Sequence, residues 1–418
     1  MISQCFRCGL CRTSCPSFIE LGTEGASPRG RIQFAAAVLR GETTIDRAIE
    51  HRMLDCLNCM RCASVCPAGV KTSEIVLDAR AELVDKGRLN PVKKLAFSTV
   101  MKSPFLLAAS AKIGALAKRL VFDGNSVLEA SVPRMAGMGD KRFPPVSVAQ
   151  TLDRWPEIVP AEGKRKMRVG YFVGCATNLI YTAVADATIG VLARNGVEVV
   201  IPRGQACCGI PVYTSGDYAT ARKLADRNLR VFNDLDIDCI VTDCASCSAA
   251  LKHELKDIVG AGEFNVPVYD LNEFLVDVIE ISREFIPVPV TVTYHDPCHL
   301  VRGQNISSQP RELLRMIPGV NLVEMADADM CCGGAGTFAY THHDLSRAVG
   351  ERKALNIRAT GAPWVVTPCP SCTMQIEDIL AHGGIAARVV HPVEVLARAY
   401  GLEGSRLDIP DADAVATK

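Results

Sequence analysis
The sequence predicts a chain of mixed α+β and α/β class. A helical N-terminal domain is built around two four-cysteine motifs, and two repeated α/β domains with mostly parallel sheets follow. Three observations carry that expectation. The spacing C-x2-C-x2-C-x3-C followed by Pro occurs twice, at Cys5, Cys8, Cys11 and Cys15 and at Cys56, Cys59, Cys62 and Cys66. Two further cysteine sets repeat downstream: Cys175 to Cys298, Cys207 to Cys331 and Cys244 to Cys369 are 123, 124 and 125 residues apart, which marks an internal duplication. Short β-branched runs alternate with helical runs through both copies, the signature of layered α/β units.

Composition narrows the class. The 418 residues suit two to three domains, and 48% apolar residues can bury sizeable cores. Lys+Arg and Asp+Glu both number 46, and this zero net charge argues against a nucleic-acid partner. No uncharged apolar run reaches the length of a membrane span. Cys5 opens a motif too early to leave room for a signal peptide. The expected location is therefore the cytoplasm. There, 19 cysteines read as metal or redox chemistry rather than a disulfide framework.

The elements follow in order. Residues 1–90 hold the two motifs, with short helices between and after them. Residues 91–166 read as helices broken at Pro104, with Ser103 as N-cap, then a proline-rich connector. The repeats occupy 167–286 and 287–402, and 403–418 reads as a loose tail. Strand-like runs at 169–173 and 290–294 precede the opening cysteines Cys175 and Cys298. Cys-Cys-Gly stands at 207–209 and 331–333. Runs at 239–242 and 364–367 precede the pairs Cys244/Cys247 and Cys369/Cys372. Helical runs are expected at 217–235 and 345–360. The cysteines thus fall at or just beyond strand ends, where open α/β sheets bind ligands. Cys239 alone lies within a strand-like run and reads as a small buried hydrophobe.

The doubled N-terminal motif is the bacterial ferredoxin run, in which the fourth cysteine ligates the other cluster. On that pattern Cys5, Cys8, Cys11 and Cys66 hold one cubane [4Fe–4S] cluster, and Cys56, Cys59, Cys62 and Cys15 hold the second. Two zinc sites are the weaker alternative, since zinc needs four thiolates and no third two-residue gap.

The later pattern, C-x31-CCG-x34-C-x2-C and then C-x32-CCG-x35-C-x2-C, resembles the cysteine-rich CCG domain of heterodisulfide reductases. The same domain occurs in iron–sulfur subunits of glycolate oxidase and lactate-utilisation enzymes. Two ferredoxin motifs before two CCG repeats is the arrangement of the glycolate-oxidase subunit, and the resemblance covers about residues 1–402. It implies a noncubane [4Fe–4S] cluster on Cys175, Cys207, Cys208, Cys244 and Cys247. It implies another on Cys298, Cys331, Cys332, Cys369 and Cys372. One cluster, with zinc in the other repeat or that repeat empty, stays open. Both CxxC pairs are intact, as in the heterodisulfide reductase type.

Weaker signals remain. His295, His299, His342 and His343 lie near the second set, where loop hydrogen bonding is the plainer reading and cluster tuning the sharper one. Arg29 and Arg31 suit a solvated or structural role equally with contact to cluster-bearing backbone or a partner. Residues 86–122 carry eight Lys and Arg without an acid. An amphipathic helix there would suit the protein's own core, a partner, or the inner face of the cytoplasmic membrane. No dinucleotide or P-loop fingerprint occurs in the right context, so nothing in the chain takes a hydride. The resemblance implies an iron–sulfur electron-transfer subunit. It would relay electrons from an FAD-containing dehydrogenase that oxidises glycolate or lactate to a quinone or other acceptor. The alternative is a catalytic subunit that reduces a disulfide at its noncubane clusters; a zinc scaffold is the non-redox reading.

Overall fold
The computed structural model describes residues 2–103, 106–107, 109–110, 141–142, 144–147, 149–257 and 260–402. Most of the expected amphipathic helix, much of the connector and the tail lie outside these residues.

The N-terminal part is helical, with no strand among its described residues. Helices Pro16–Leu21 and Pro28–Leu39 open on proline, whose missing N–H is harmless in a first turn. Ser27 caps the second by accepting from Gly30 N at 3.0 Å. Asp46 caps Arg47–Leu54 in the same way, accepting from Ile49 N at 2.9 Å. Helix Thr72–Asp85 packs across both, and Ile49, Met53, Val76 and Leu83 form the shared apolar contact.

Nine strands follow among the described residues: β1 (Ile158–Val159), β2 (Met167–Tyr171), β3 (Val197–Val200), β4 (Cys239–Thr242), β5 (Val268–Asp270), β6 (Val290–Tyr294), β7 (Val320–Leu322), β8 (Trp364–Val366) and β9 (Arg388–Val390). They make two sheets, ordered β1-β3-β2-β4-β5 and β7-β6-β8-β9. Only the short edge strand β1 pairs antiparallel. Without it, both repeats share one order and one direction. In each, the chain leaves the opening strand on one side and returns on the other. That reversal opens a crevice at the carboxyl ends of β2 and β4, and of β6 and β8. The helical runs expected at 217–235 and 345–360 are Tyr218–Asn233 and His343–Thr360. The run expected at 169–173 is β2, two residues earlier; residues 172–174 instead lead to Cys175.

One apolar core joins the repeats, with Val169, Tyr171 and Val241 from one sheet and Val292, Tyr294 and Val366 from the other. Helices Thr182–Arg194 and Pro392–Ala399 pack together within it. Strand β4 is buried at every position, as a central parallel strand should be. Cys239 is one of its fully buried side chains. Fusing the halves brings the two crevices together: Ala245 N donates to Pro368 O at 2.9 Å across the seam.

Candidate metal centres
The two N-terminal motifs share an unusual backbone. Arg7 and Gly9 flank Cys8 with left-handed φ, and Asn58 and Met60 do so around Cys59. Alternating handedness turns successive N–H groups inward and makes a nest for negative charge. Asn58 N donates to Cys56 Sγ at 3.4 Å and Val70 N to Cys66 Sγ at 3.3 Å. One small cavity is lined by Cys5, Cys8, Cys11 and Cys66, with Cys62 on its wall. Its neighbour is lined by Cys15, Cys56, Cys59 and Cys62. Burial pushes the Cys59 thiol up to about 11 and Cys62 well above its ordinary value. Bare thiolates are therefore unfavourable there. A cationic iron centre would compensate them, and the N–H donors to sulfur suit a cluster. The donor set and cradle fit the implied cubanes.

Arg31 proves structural and electrostatic at once. It is 1% exposed, and donates to Arg52 O at 2.7 Å and to Ser17 Oγ at 2.9 Å. Its Nη1 lies 3.9 Å from Cys15 Sγ. Arg29 pairs with Glu24 at 2.6 Å and reaches Arg7 O at 3.2 Å.

The CCG loops are held by side chains from their own repeats. In the first, Gln205 Oε1 accepts from Val173 N and Asn228 Oδ1 from Ala206 N, both at 2.8 Å. Gly174 takes a left-handed φ, and a Cβ there would stand 3.2 Å from Cys247 Sγ. In the second, Ser346 Oγ donates to Gly333 O at 2.8 Å. Both Cys-Cys-Gly glycines are left-handed. Their N–H groups donate to Cys207 Sγ and Cys331 Sγ at 3.5 Å. At Gly333 the tight neighbour is Ser346 O, 2.4 Å from a would-be Cβ.

Both sets open on one cavity of about 670 Å³. Cys175, Cys208, Cys244 and Cys247 line it from the first repeat, and Cys298, Cys331, Cys332, Cys369 and Cys372 from the second. Cys207 lies behind, 3.8 Å from Cys175 Sγ. Hydrogen bonds from Cys207 and Cys247 hold Cys208 down at about 5. Cys331 and Cys372 lower Cys332 in the same manner, and Cys244 and Cys372 lower Cys369. Each repeat thus offers several sulfurs, with hydrogen bonds that favour the thiolate form at one or more of them. Such a set exceeds the needs of a single ion and fits a multi-iron cluster.

The histidines divide. His299 Nδ1 bonds Ser246 Oγ at 3.0 Å, His342 stacks on Phe338 at 4.6 Å, and His343 meets Asp344 at 3.4 Å. These are ordinary hydrogen-bond and ring contacts, although His299 and His342 also line the central cavity. His295 departs from the plainer reading. It is buried, its Nδ1 has no hydrogen-bond partner, and it lies with Cys332 and Cys372 in a group whose ligand atoms are within 4.8 Å.

Sequence reasoning did not find the residues that join the parts. Arg80 donates to Met53 O, Cys56 O and Thr214 O at 2.9, 2.6 and 2.7 Å, tying the second motif to the first repeat. Asp329 bridges Arg61 and Arg302 at 2.6 Å each, and Arg302 reaches Cys59 O at 3.3 Å. Beside them Leu57, Cys59, Cys331 and Phe338 form one buried cluster with Cys298 against it. An isolated Arg in a helical run carries no signal for such long-range partners. Lys93, from the basic stretch at 86–122, is turned into the cavity rather than outward.

Known proteins share this organisation. A 4Fe-4S dicluster domain matches residues 1–70, and a cysteine-rich CCG domain matches 169–252 and 292–377. The probable glycolate oxidase iron-sulfur subunit of Bacillus subtilis is 31% identical, over 95% of this chain and 94% of that one. The chain belongs to this family of CCG iron–sulfur proteins. A fumarate reductase (CoM/CoB) subunit of Methanothermobacter marburgensis is 32% identical, over 95% of this chain and 72% of its own. Lactate utilization protein A of Geobacillus kaustophilus is 33% identical, over 55% of this chain and 98% of its own. Iron–sulfur electron transfer is the work of this family member.

Proposed function
We propose that the chain is the iron–sulfur subunit of a flavin-dependent 2-hydroxyacid oxidoreductase. It would connect an FAD-bearing partner, which oxidises glycolate or lactate, to a quinone or other acceptor. The observation that carries this reading is the file of cysteine sites. Cys8 is exposed at one end. Cys62 borders both N-terminal cavities. Cys59 packs with Cys331, and Ser246 Oγ lies 3.6 Å from Cys369 Sγ where the two CCG sets meet. Clusters held in that file would carry single electrons from a surface donor to the inner cavity. The protein's own part is to hold each thiol set, supply N–H donors to sulfur and exclude water.

The ligands of the two cubanes are Cys5, Cys8, Cys11 and Cys66, and Cys56, Cys59, Cys62 and Cys15. The CCG ligands are the two five-cysteine sets. About 16 iron and 16 sulfide per chain are expected from four four-iron sites; zinc without iron would eliminate the redox reading. Cys332→Ser should remove one CCG signal in electron paramagnetic resonance and leave the ferredoxin-type signals. Anaerobic purification from the native host tests the partner: a co-purifying flavoprotein oxidase supports it, and a stable lone chain counts against it.

A second reading makes the chain catalytic, reducing a disulfide in the cavity. The cavity favours it, because nine of the ten CCG cysteines line one space. Disulfide reduction with an artificial donor separates the two. Among the described residues no helix is long and apolar enough to cross a membrane. Attachment to a membrane face would fall to residues 86–122 and is measured by vesicle co-sedimentation.

A further inference from the structure
The wall of the central cavity is not sulfur alone. Arg80, Lys93, Lys141 and His342 also line it, and Glu50 is the sole acid on it among the described residues. Most of these charges are satisfied. Arg80 is used on main-chain carbonyls. Lys141 pairs with Asp378 at 3.1 Å, and Glu50 with Arg88 at 2.9 Å. Lys93 differs. Its Nζ donates to Thr337 Oγ1 at 3.2 Å, and no carboxylate answers it among the described residues.

Its position is costly. Exposed lysines keep their ammonium in water and lay only the stem on protein. Lys94, next on the same short helix Pro91–Leu95, is exposed in that way. Lys93 is directed inward, where desolvation, and then repulsion from Arg80, lowers it to about 8. It still carries its proton at neutral pH. A desolvated ammonium without a counter-charge is unfavourable unless a ligand supplies one. Thr337, having accepted from Lys93, keeps its own hydroxyl proton to donate to the same ligand.

We infer that the cavity receives an electron acceptor bearing an anionic oxyacid group, and that Lys93 and Thr337 bind that group. The inference rests on the reading that this cavity takes the acceptor. It names the chemistry shared by carboxylate, sulfonate and phosphate, and the reducible part would lie toward the CCG cysteines.

The test uses the full, cluster-loaded chain and redox-inert probes in calorimetry. 2-Naphthoate, 2-naphthalenesulfonate and 2-naphthyl phosphate are compared with neutral 2-naphthamide. At least one anion should bind about tenfold tighter than the amide, the worth of one charge-assisted hydrogen bond. The tightest of the three identifies the head group. Lys93→Gln should abolish the preference, while Lys93→Arg and the control Lys94→Gln keep it. Equal binding of amide and anions, binding of neither, or a preference unchanged in Lys93→Gln would overturn the inference. Electron transfer is scored separately, by reduction of the loaded chain with a flavoprotein donor. A chain that fails this assay yet prefers anions through Lys93 sinks the relay and not the anion site.

Discussion
Two glycines in equivalent places do different physical work. Gly209 and Gly333 both sit at left-handed φ after a cysteine pair. Alanine pays about 1–2 kcal/mol for that backbone at either position. Only at Gly333 does the added Cβ also strike main chain, 2.4 Å from Ser346 O; at Gly209 nothing is nearer than 3.6 Å. Gly209→Ala should therefore lower the melting temperature modestly and keep the first repeat's cluster signal. Gly333→Ala should lower it much further and lose the second repeat's signal. Equal losses would refute the packing argument. A second residue sets acid sensitivity. His391 is buried, accepts from Val393 N at 3.1 Å and places its other ring nitrogen 2.8 Å from Asp243 O. It is therefore neutral, and burial lowers it to about 4. A base depressed in the folded state contributes full stability above its unfolded value of about 6.5 and loses it as pH falls through about 4. The gap is worth about 3 kcal/mol. Asp270, its counterpart ahead of the matching helix, has the opposite sign, because burial raises it to about 6. The variant comparison isolates the histidine: between pH 7 and 4, His391→Asn should lose clearly less stability than the parent protein.

At the scale of elements, the sequence showed what repeats and missed what joins. The strand-end placement of the opening cysteines and of the CxxC pairs was legible because the duplication printed the same strand–loop–cysteine order twice, and β4 and β8 stand where those runs lie; the strands ahead of the Cys-Cys-Gly pairs, β3 and β7, were not expected. The buried role of Cys239 followed from its place inside a strand. The seam was not legible, because contacts such as Arg61 to Asp329 span distant parts of the chain and leave no local pattern. The same reason hid Lys93, which reads as one of several lysines until the fold turns it inward. The seam itself can be tested through Asp329. Its carboxylate is held below the ordinary range despite desolvation, by its bond to Arg61 and the charge of Arg302. Arg302 is only 6% exposed in its side chain. Asp329→Ala would leave Arg302 without a carboxylate and Arg61 with Asp327 alone, at 3.7 Å. A loss of about 1–3 kcal/mol is expected, discounted for the half-exposed acid. The junction of Cys59 with Cys298 and Cys331 should loosen with it. Rapid-freeze spectroscopy after reductant mixing should then show the CCG signals lagging behind the ferredoxin-type signals. Unchanged stability and unchanged order of reduction would remove the clamp from the account.

For the whole molecule, the question is where electrons enter. A relay needs one site near the surface and the others shielded, because transfer to an unintended acceptor grows with exposure. The cysteine sites are graded in that sense: Cys8 is exposed, whereas all but one cysteine in each CCG set is buried. The surface beside Cys8 is also unusual. Phe6 is 64% exposed and Leu10 54%, on either side of it in the chain. Scattered exposed apolar residues need no explanation, but these two flank the most exposed of the motif cysteines, and on the proposed relay they would form the apolar contact face at its entry point. A redox partner docking there would bury both side chains and bring its own centre against the Cys8 site. Phe6→Asp together with Leu10→Asp keeps every cysteine and changes two side chains that are more than half exposed. The double variant should retain its iron content and its reduction by dithionite, which needs no docking. Reduction by the proposed flavoprotein partner should slow by tenfold or more, since about 1.4 kcal/mol of lost contact already gives that factor. If the partner reduces the variant at the parent rate, electrons enter elsewhere. The file would then have to be read in the opposite direction, from the cavity outward.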